Sequence, residues 1–175
     1  MRKLSMQELN RHSVESFKDV EKFPVVLVLD NIRSLNNVGS AFRTGDAFKV
    51  EKICLCGITG KPPHRDINKT ALGATDSVSW EHYPSTENAV DALLEEGYKV
   101  IAVEQTENAT QLHDFSISQT EKYAFVFGNE VFGVEDAVLK KCETSLEIPQ
   151  FGTKHSLNIS VSIGIILWNY VKEVL

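Results

Sequence analysis

No apolar run in this 175-residue sequence approaches the ~20 residues needed to cross a bilayer; the best candidate, Ile163 to Leu167, is far too short. The start, Met1-Arg2-Lys3-Leu4-Ser5, leads into polar residues with no apolar h-region, so no signal peptide is expected. Cysteine is scarce. Cys54, Cys56 and Cys142 form no CxxC pair and no even framework, which argues against a disulfide scaffold and for reduced thiols in a cytoplasmic protein. Cys54 and Cys56 sit at period two on one side of a strand and read as core. The histidines show no metal spacing, so no metal is expected. There is no GxGxxG, no Lys-Ser/Thr after a glycine-rich loop and no GxSxG elbow. Rossmann dinucleotide sites, P-loop nucleotide hydrolysis and serine hydrolysis therefore lack support.

A basic excess is also missing. The net charge is −6, from 18 basic and 24 acidic residues, which taken alone argues mildly against a nucleic-acid partner. The distribution changes that reading. Residues 1–83 balance at +2 (12 against 10), residues 84–147 at −9 (4 against 13) and residues 148–175 at +1 (2 against 1). The acidity belongs to one central segment, and a polyanion can still use the first half and the C-terminal end. With 42% hydrophobic and 24% charged residues, the chain has the composition of an ordinary globular domain with a sizeable core.

Hydrophobic patterning predicts alternating helices and strands. Residues 5–21 read as an amphipathic helix, with a Ser5/Glu8 capping box and Met6, Leu9, Ser13, Phe17 and Val20 near helical spacing, ended by Pro24. Val25 to Leu29 is a fully apolar, β-branched run, as in a buried parallel strand. A polar loop, Asp30 to Asn36, leads into a helix through Phe48. Further strands are expected at 53–56, 78–83, 100–103, 123–127 and 146–149. Further helices are expected at 85–96, 135–140 and from Ser156 to Val174, with a loop over 57–68. This alternation implies an α/β fold with a mainly parallel sheet and helices on both faces, whose ligands bind at the carboxyl ends of strands.

Three strand-ending loops carry unusual residues. In the first, Asn37 is placed to cap the following helix, Gly39 permits close backbone approach, and Arg43 comes six residues after Asn37, able to point back at the loop. The second, Phe127-Gly128-Asn129-Glu130-Val131-Phe132-Gly133, brings backbone N–H groups near a ligand and carries one carboxylate. The third runs from Ile148-Pro149 through Gly152 into a helix capped by Ser156. There Asn158, Ser160 and Ser162 alternate with Leu157, Ile159 and Val161, polar groups that need partners. Each loop alone also fits a plain turn or helix cap.

As an ordered set, the three loops resemble the motifs of the SpoU or TrmH-type RNA methyltransferases of the SPOUT class: N-x-G-x-x-x-R at Asn37 to Arg43, G-x-E-x-x-G at Gly128 to Gly133, and I-P-x-x-G-x-x-x-S-L-N-x-S-V at Ile148 to Val161. The stretches 97–106 and 165–170 also look like members that methylate tRNA. The resemblance implies a methyltransferase domain over 23–175, tied in a deep C-terminal trefoil knot, behind an N-terminal helical extension over 1–22. It implies S-adenosylmethionine held by Val103, Gly128, Ile148 and Leu157, mostly through backbone atoms. It implies methyl transfer to a ribose 2′-hydroxyl of RNA, with Arg43 as a base or an electrostatic clamp. Asn37 and Glu130 would position the reacting groups, and Ser156 and Asn158 would complete the site. It further implies a homodimer, for which the terminal helix with Trp168 and Tyr170 offers a surface unless both aromatics belong to the core.

Residues expected to meet RNA are Arg33, Lys61, His64, Arg65 and Lys69, with Arg2, Lys3, Arg11, Lys18 and Lys22 as further candidates; the sequence lacks the long basic extension of better-characterised tRNA enzymes. The expected substrate is tRNA, with rRNA as the alternative. A non-catalytic RNA-binding relative is a second reading, disfavoured by the intact Arg43, Glu130, Ser156 and Asn158. A different nucleotide-binding α/β enzyme is a third.

Overall fold

The computed structural model describes residues 1–5 and 7–175, so the helical position expected of Met6 lies outside the described residues. Seven strands form one sheet: β1 (Phe23–Asp30), β2 (Val50–Cys56), β3 (Ser79–Tyr83), β4 (Tyr98–Val103), β5 (Thr110–Gln111), β6 (Lys122–Phe127) and β7 (Thr144–Glu147). Their order is β3-β2-β1-β6-β4-β7-β5, and every pairing is parallel. Val25 to Leu29 are fully buried, as their unbroken apolar pattern requires of a central strand covered on both faces.

The described residues include the helices α1 (Val14–Asp19), α2 (Leu35–Ala47), α3 (Arg65–Ala71), α4 (Thr86–Glu95), α5 (Asp136–Leu139) and α6 (Ile159–Val174), of which α2 to α6 supply residues to the cores on the sheet's two faces. The two strand faces feed separate cores. On one, Leu27, Leu29, Ile53 and Phe125 pack with Phe42 of α2, Ile67 of α3 and Ile163, Leu167 and Tyr170 of α6. On the other, Val26, Val28, Val100 and Val126 meet Val90 and Leu93 of α4 and Val138 by α5. The expected parallel α/β architecture with helices on both faces is therefore present.

Several local expectations need correction. The Ser5/Glu8 capping box forms, with the Ser5 amide donating to Glu8 at 2.7 Å. It serves only one turn, because Asn10 takes a left-handed φ of 46° and interrupts the helix before Ser13 caps α1 afresh. Asn37 does not cap α2; Ser34 does, accepting the Asn37 amide at 3.3 Å. Part of the expected loop 57–68 is the helix α3. Ser156 does not cap α6 either; Asn158 does. The odd polar alternation at its start is cap chemistry: Asn158 Oδ1 accepts from the amide and hydroxyl of Ser160 at 2.9 and 2.6 Å, and the Ser162 hydroxyl reaches back to the Asn158 carbonyl at 3.4 Å. Of the two aromatics of α6, Tyr170 is core at 2% exposure and Trp168 faces outward at 56%.

Candidate active site

In-register pairing aligns the carboxyl ends of four central strands: Leu29 lies beside Phe127, Phe127 beside Val103, and Val103 beside Leu146. The chain reverses its direction across the sheet here, stepping outward from β1 to β3 and then crossing to β4 on the other side. Loops leaving these strands must converge, and such a switch point is where open α/β sheets bind ligands.

They enclose a cleft of about 680 Å³. Its apolar wall is Val103, Leu146, Ile148, Leu157 and Ile159, and its rim is the 128–134 loop and Ser156. Four carboxylates line it, Glu104, Glu130, Asp136 and Glu147, and among the described residues no lysine or arginine does. That electrostatic balance suits a ligand bearing positive charge next to a flat apolar part, and it opposes a nucleotide di- or triphosphate. Gly128 is required by space, since a Cβ there would overlap the backbone of Gly133 and Val134. Gly133 takes a φ of 70°, and a Cβ on it would overlap the Glu104 carboxylate. That carboxylate is fully engaged: Glu104 Oε2 accepts the Val134 amide at 3.0 Å and Oε1 the Gln105 amide at 2.8 Å.

Glu130 joins the second loop to the first. Oε2 accepts the Arg33 amide at 3.0 Å; Oε1 accepts the Ser34 amide at 3.0 Å and the Asn37 side-chain amide at 3.1 Å. The carboxylate thus serves the N-terminus of α2 from a distant part of the chain, where the helix dipole also favours negative charge. Partial burial pushes the Glu130 carboxyl up, but the Arg33 and Ser34 amides and the Asn37 side chain together outweigh it and hold the group below its usual range. Asn37, itself buried, then accepts from Asn158 Nδ2 at 3.3 Å, which brings in the third loop. One relay, Glu130 to Asn37 to Asn158, ties all three loops.

Arg43 is placed differently from the expectation. It is exposed on α2 two turns beyond Asn37, and it does not line the cleft of its own chain. Val103, Gly128, Ile148, Leu157, Ser156 and Asn158 do line it. Arg33, Lys61, His64, Arg65 and Lys69 are all exposed, outside the cleft.

Sequence reasoning missed a buttress behind these loops. Asp30, fully buried, accepts the Thr86 hydroxyl at 2.5 Å, Asn31 Nδ2 at 2.9 Å and the Glu135 amide at 3.1 Å. Asn129 donates to the Asn31 carbonyl at 2.6 Å while its own oxygen accepts the Val131 and Phe132 amides at 2.9 and 3.2 Å. The usable signal was a polar Asp30-Asn31 pair directly after a wholly apolar strand.

Comparison with known proteins agrees with this geometry. Over 156 residues the chain is 27% identical to a 23S rRNA (guanosine-2′-O-)-methyltransferase of Neisseria meningitidis, covering 89% of this chain and 61% of that protein. It is 27% identical over 166 residues to a tRNA (guanosine(18)-2′-O)-methyltransferase of Thermus thermophilus, covering 95% of this chain and 84% of that one. The chain spans about three fifths of the length of several curated relatives it matches. Among solved structures, an AdoMet-bound rRNA methyltransferase from Sinorhizobium meliloti shares the fold with a TM-score of 0.81 at 23% identity, covering 91% of this chain and 60% of that one. A TrmH/SpoU tRNA modifying enzyme from A. aeolicus does so with a TM-score of 0.80 at 21% identity, covering 91% and 81%. The model of the SpoU rRNA Methylase family matches residues 24–168, which contain all three loops and the relay between them, and the chain belongs to that family.

Proposed function

We propose that this chain methylates a ribose 2′-hydroxyl of RNA with S-adenosylmethionine, with tRNA as the preferred substrate class and rRNA as the alternative. The observation that carries the reading is the convergence of the three loops on one cleft that has an apolar wall, a carboxylate lining and no lysine or arginine among the described residues. Such a lining fits a sulfonium donor with an adenine ring and an amino acid tail. When bound, the cofactor supplies a methyl group already activated for transfer. Val103, Ile148 and Leu157 offer its flat part a dry wall, and the backbone at Gly128 offers close hydrogen-bonding approach.

The chain's remaining task is to align the attacking oxygen and manage its proton. Glu130 holds Asn37, which in turn holds Asn158, while Asn158 and Ser156 line the cleft and present amide and hydroxyl groups there. Arg43 acts on the ribose hydroxyl and a neighbouring phosphate as an electrostatic clamp, since a guanidinium keeps its proton at neutral pH. Its exposed position on α2 favours a homodimer in which it serves the partner's cleft. A second copy would cover the outward face of α6, where Val161 and Trp168, seven residues apart, are 49% and 56% exposed. The return of α6 from β7 to pack on α2, while β6 and β4 separate β7 from β1 in the sheet, is in keeping with the trefoil knot expected of the C-terminal part. Residues 1–22 form the N-terminal extension to a domain over 23–175. The free thiols Cys54 and Cys56, both buried in the core, favour a cytoplasmic enzyme.

The test is transfer of radiolabelled methyl from S-adenosylmethionine to total RNA, followed by mass mapping of the modified nucleotide. Ribose-methylated product is expected, and Arg43→Ala should abolish it while folding and cofactor affinity persist. Transfer that survives this substitution refutes the assignment of Arg43. Cofactor binding without any methylated RNA refutes the enzymatic reading.

A further inference from the structure

The cleft lining leaves open where a polyanion is gripped, and the molecule offers a second groove on the other side of α2. It holds about 380 Å³ between the Pro62–Pro63 turn, α3 and the edge strand β3. Trp80 is half-buried on β3: it packs against the main core and also lines the groove, as Pro62 and Pro63 do. Asn68, Thr75 and Asp76 supply polar groups along the wall, and none of these side chains has a hydrogen-bond partner among the described residues. Lys61, Arg65 and Lys69 surround the groove in sequence and are exposed. Unlike Lys52, Lys99 and Lys141, none of the three is in an ion pair among the described residues. The groove is close to the site: the Thr70 hydroxyl of α3 donates to the Asn36 carbonyl of α2 at 2.9 Å, and the Cβ position of Gly39 abuts Ile67 and Thr70.

We propose that this groove is a nucleobase subsite, in which an unpaired base of the RNA stacks on Trp80 while Lys61, Arg65 and Lys69 hold its flanking phosphates. The inference rests on the RNA methyltransferase reading and adds where the substrate is read. An indole in a groove it shares with two prolines can take the flat face of any base. Asn68, Thr75 and Asp76 can donate to and accept from its edge, which makes the subsite able to choose between bases. Lys61, Arg65 and Lys69, each next in sequence or within two residues of a residue that lines the groove, supply charge complementarity that the carboxylate-lined cleft does not.

Two variants test the subsite, with unfractionated tRNA and total rRNA as probes, by filter binding and methyl-transfer kinetics. Trp80→Ala should weaken RNA binding by about 5- to 150-fold, the range for removing one aromatic stacking partner, and raise the KM for RNA with little change in kcat. Trp80→Phe keeps a stacking ring and should stay within about threefold of wild type. Affinity for S-adenosylmethionine and the thermal midpoint report a merely structural role, and Trp80→Phe should change neither. Should Trp80→Ala bind both RNAs within twofold of wild type, the subsite is refuted while the methyltransferase reading stands. Parallel loss of cofactor affinity and RNA affinity in Trp80→Phe refutes it as well. A wild-type protein that neither binds nor methylates either RNA overturns both readings together.

Discussion

Replacing Glu130 by Gln isolates the contribution of one charge to the junction of the loops. The carboxylate satisfies three donors with two oxygens, at 3.0, 3.0 and 3.1 Å. A glutamine has one oxygen, which can serve the Ser34 amide and Asn37. Its NH₂ then faces the Arg33 amide, donor against donor. Hydrogen bonds to a charged group contribute about 1.5–3 kcal/mol each. Glu130 is solvent-exposed in part, and screening reduces that by roughly half, giving a net loss of about 1–2 kcal/mol. For a chain of this size the thermal midpoint should fall by about 2–8 °C at pH 7. The pH dependence follows from the direction of the shift. The folded-state pKa lies below the ordinary value of 4.5, so the stabilisation is complete above that value and is lost as pH falls through the folded one. The gap between wild type and Glu130→Gln should therefore be largest at neutral pH and close in acid. Circular dichroism melts from pH 7 to pH 3 measure it. Equal midpoints at pH 7, or a gap that stays constant into acid, would refute the proposed role of the charge at the start of α2.

Leu157→Glu places a charge against the apolar wall and should weaken cofactor binding at least tenfold by calorimetry, a loss of about 1.4 kcal/mol or more; unchanged affinity removes Leu157 from the pocket. Gly133→Ala should destabilise the fold by about 1–3 kcal/mol in urea titrations, because φ is positive there and a Cβ meets Glu104; a wild-type midpoint would show that the 128–134 loop can yield. Burial pushes the Cys54 thiol up to about 12 and the Cys142 thiol up to about 11, so the folded protein should resist a thiol-specific colorimetric reagent at pH 8 until denaturant is added. Reaction of either thiol within minutes in native buffer would contradict that burial.

The central strands were legible because burial on both faces forces an unbroken apolar run, as at Val25 to Leu29, whereas a surface helix would interrupt such a run with polar residues on its outer face; the two-residue edge strand β5, Thr110–Gln111, has no such run and was not expected. The loops were legible as an ordered set of residue types. What escaped lay in competition between adjacent signals. Ser34 and Asn37 are both good caps, and only the point at which α2 begins decides between them. The Pro62–Pro63 turn suggested a continuous loop, while α3 buries only Ile67 and Ala71, too short a stripe to register as periodic. The N-terminal capping box was real but local, and a left-handed Asn10 ended its reach. Arg43 could be named from the sequence, but its distance from its own cleft is a property of helix length and packing that spacing within a motif does not reveal. Asn129 looked like a spacer between Gly128 and Glu130, although its side chain joins one loop to the backbone of another.

The link between Asn37 and Asn158 spans 121 residues. At translation rates of about 5–20 residues per second, roughly 6–24 s pass between the synthesis of one asparagine and the other. During that interval α2 can fold against the nascent sheet, yet its polar start lacks its carboxylate until Glu130 is made and its amide partner until Asn158 is made. The junction of the three loops therefore cannot close progressively on the ribosome; it closes late, when α6 docks. A chain stalled before that point would carry a nearly finished sheet and no working centre.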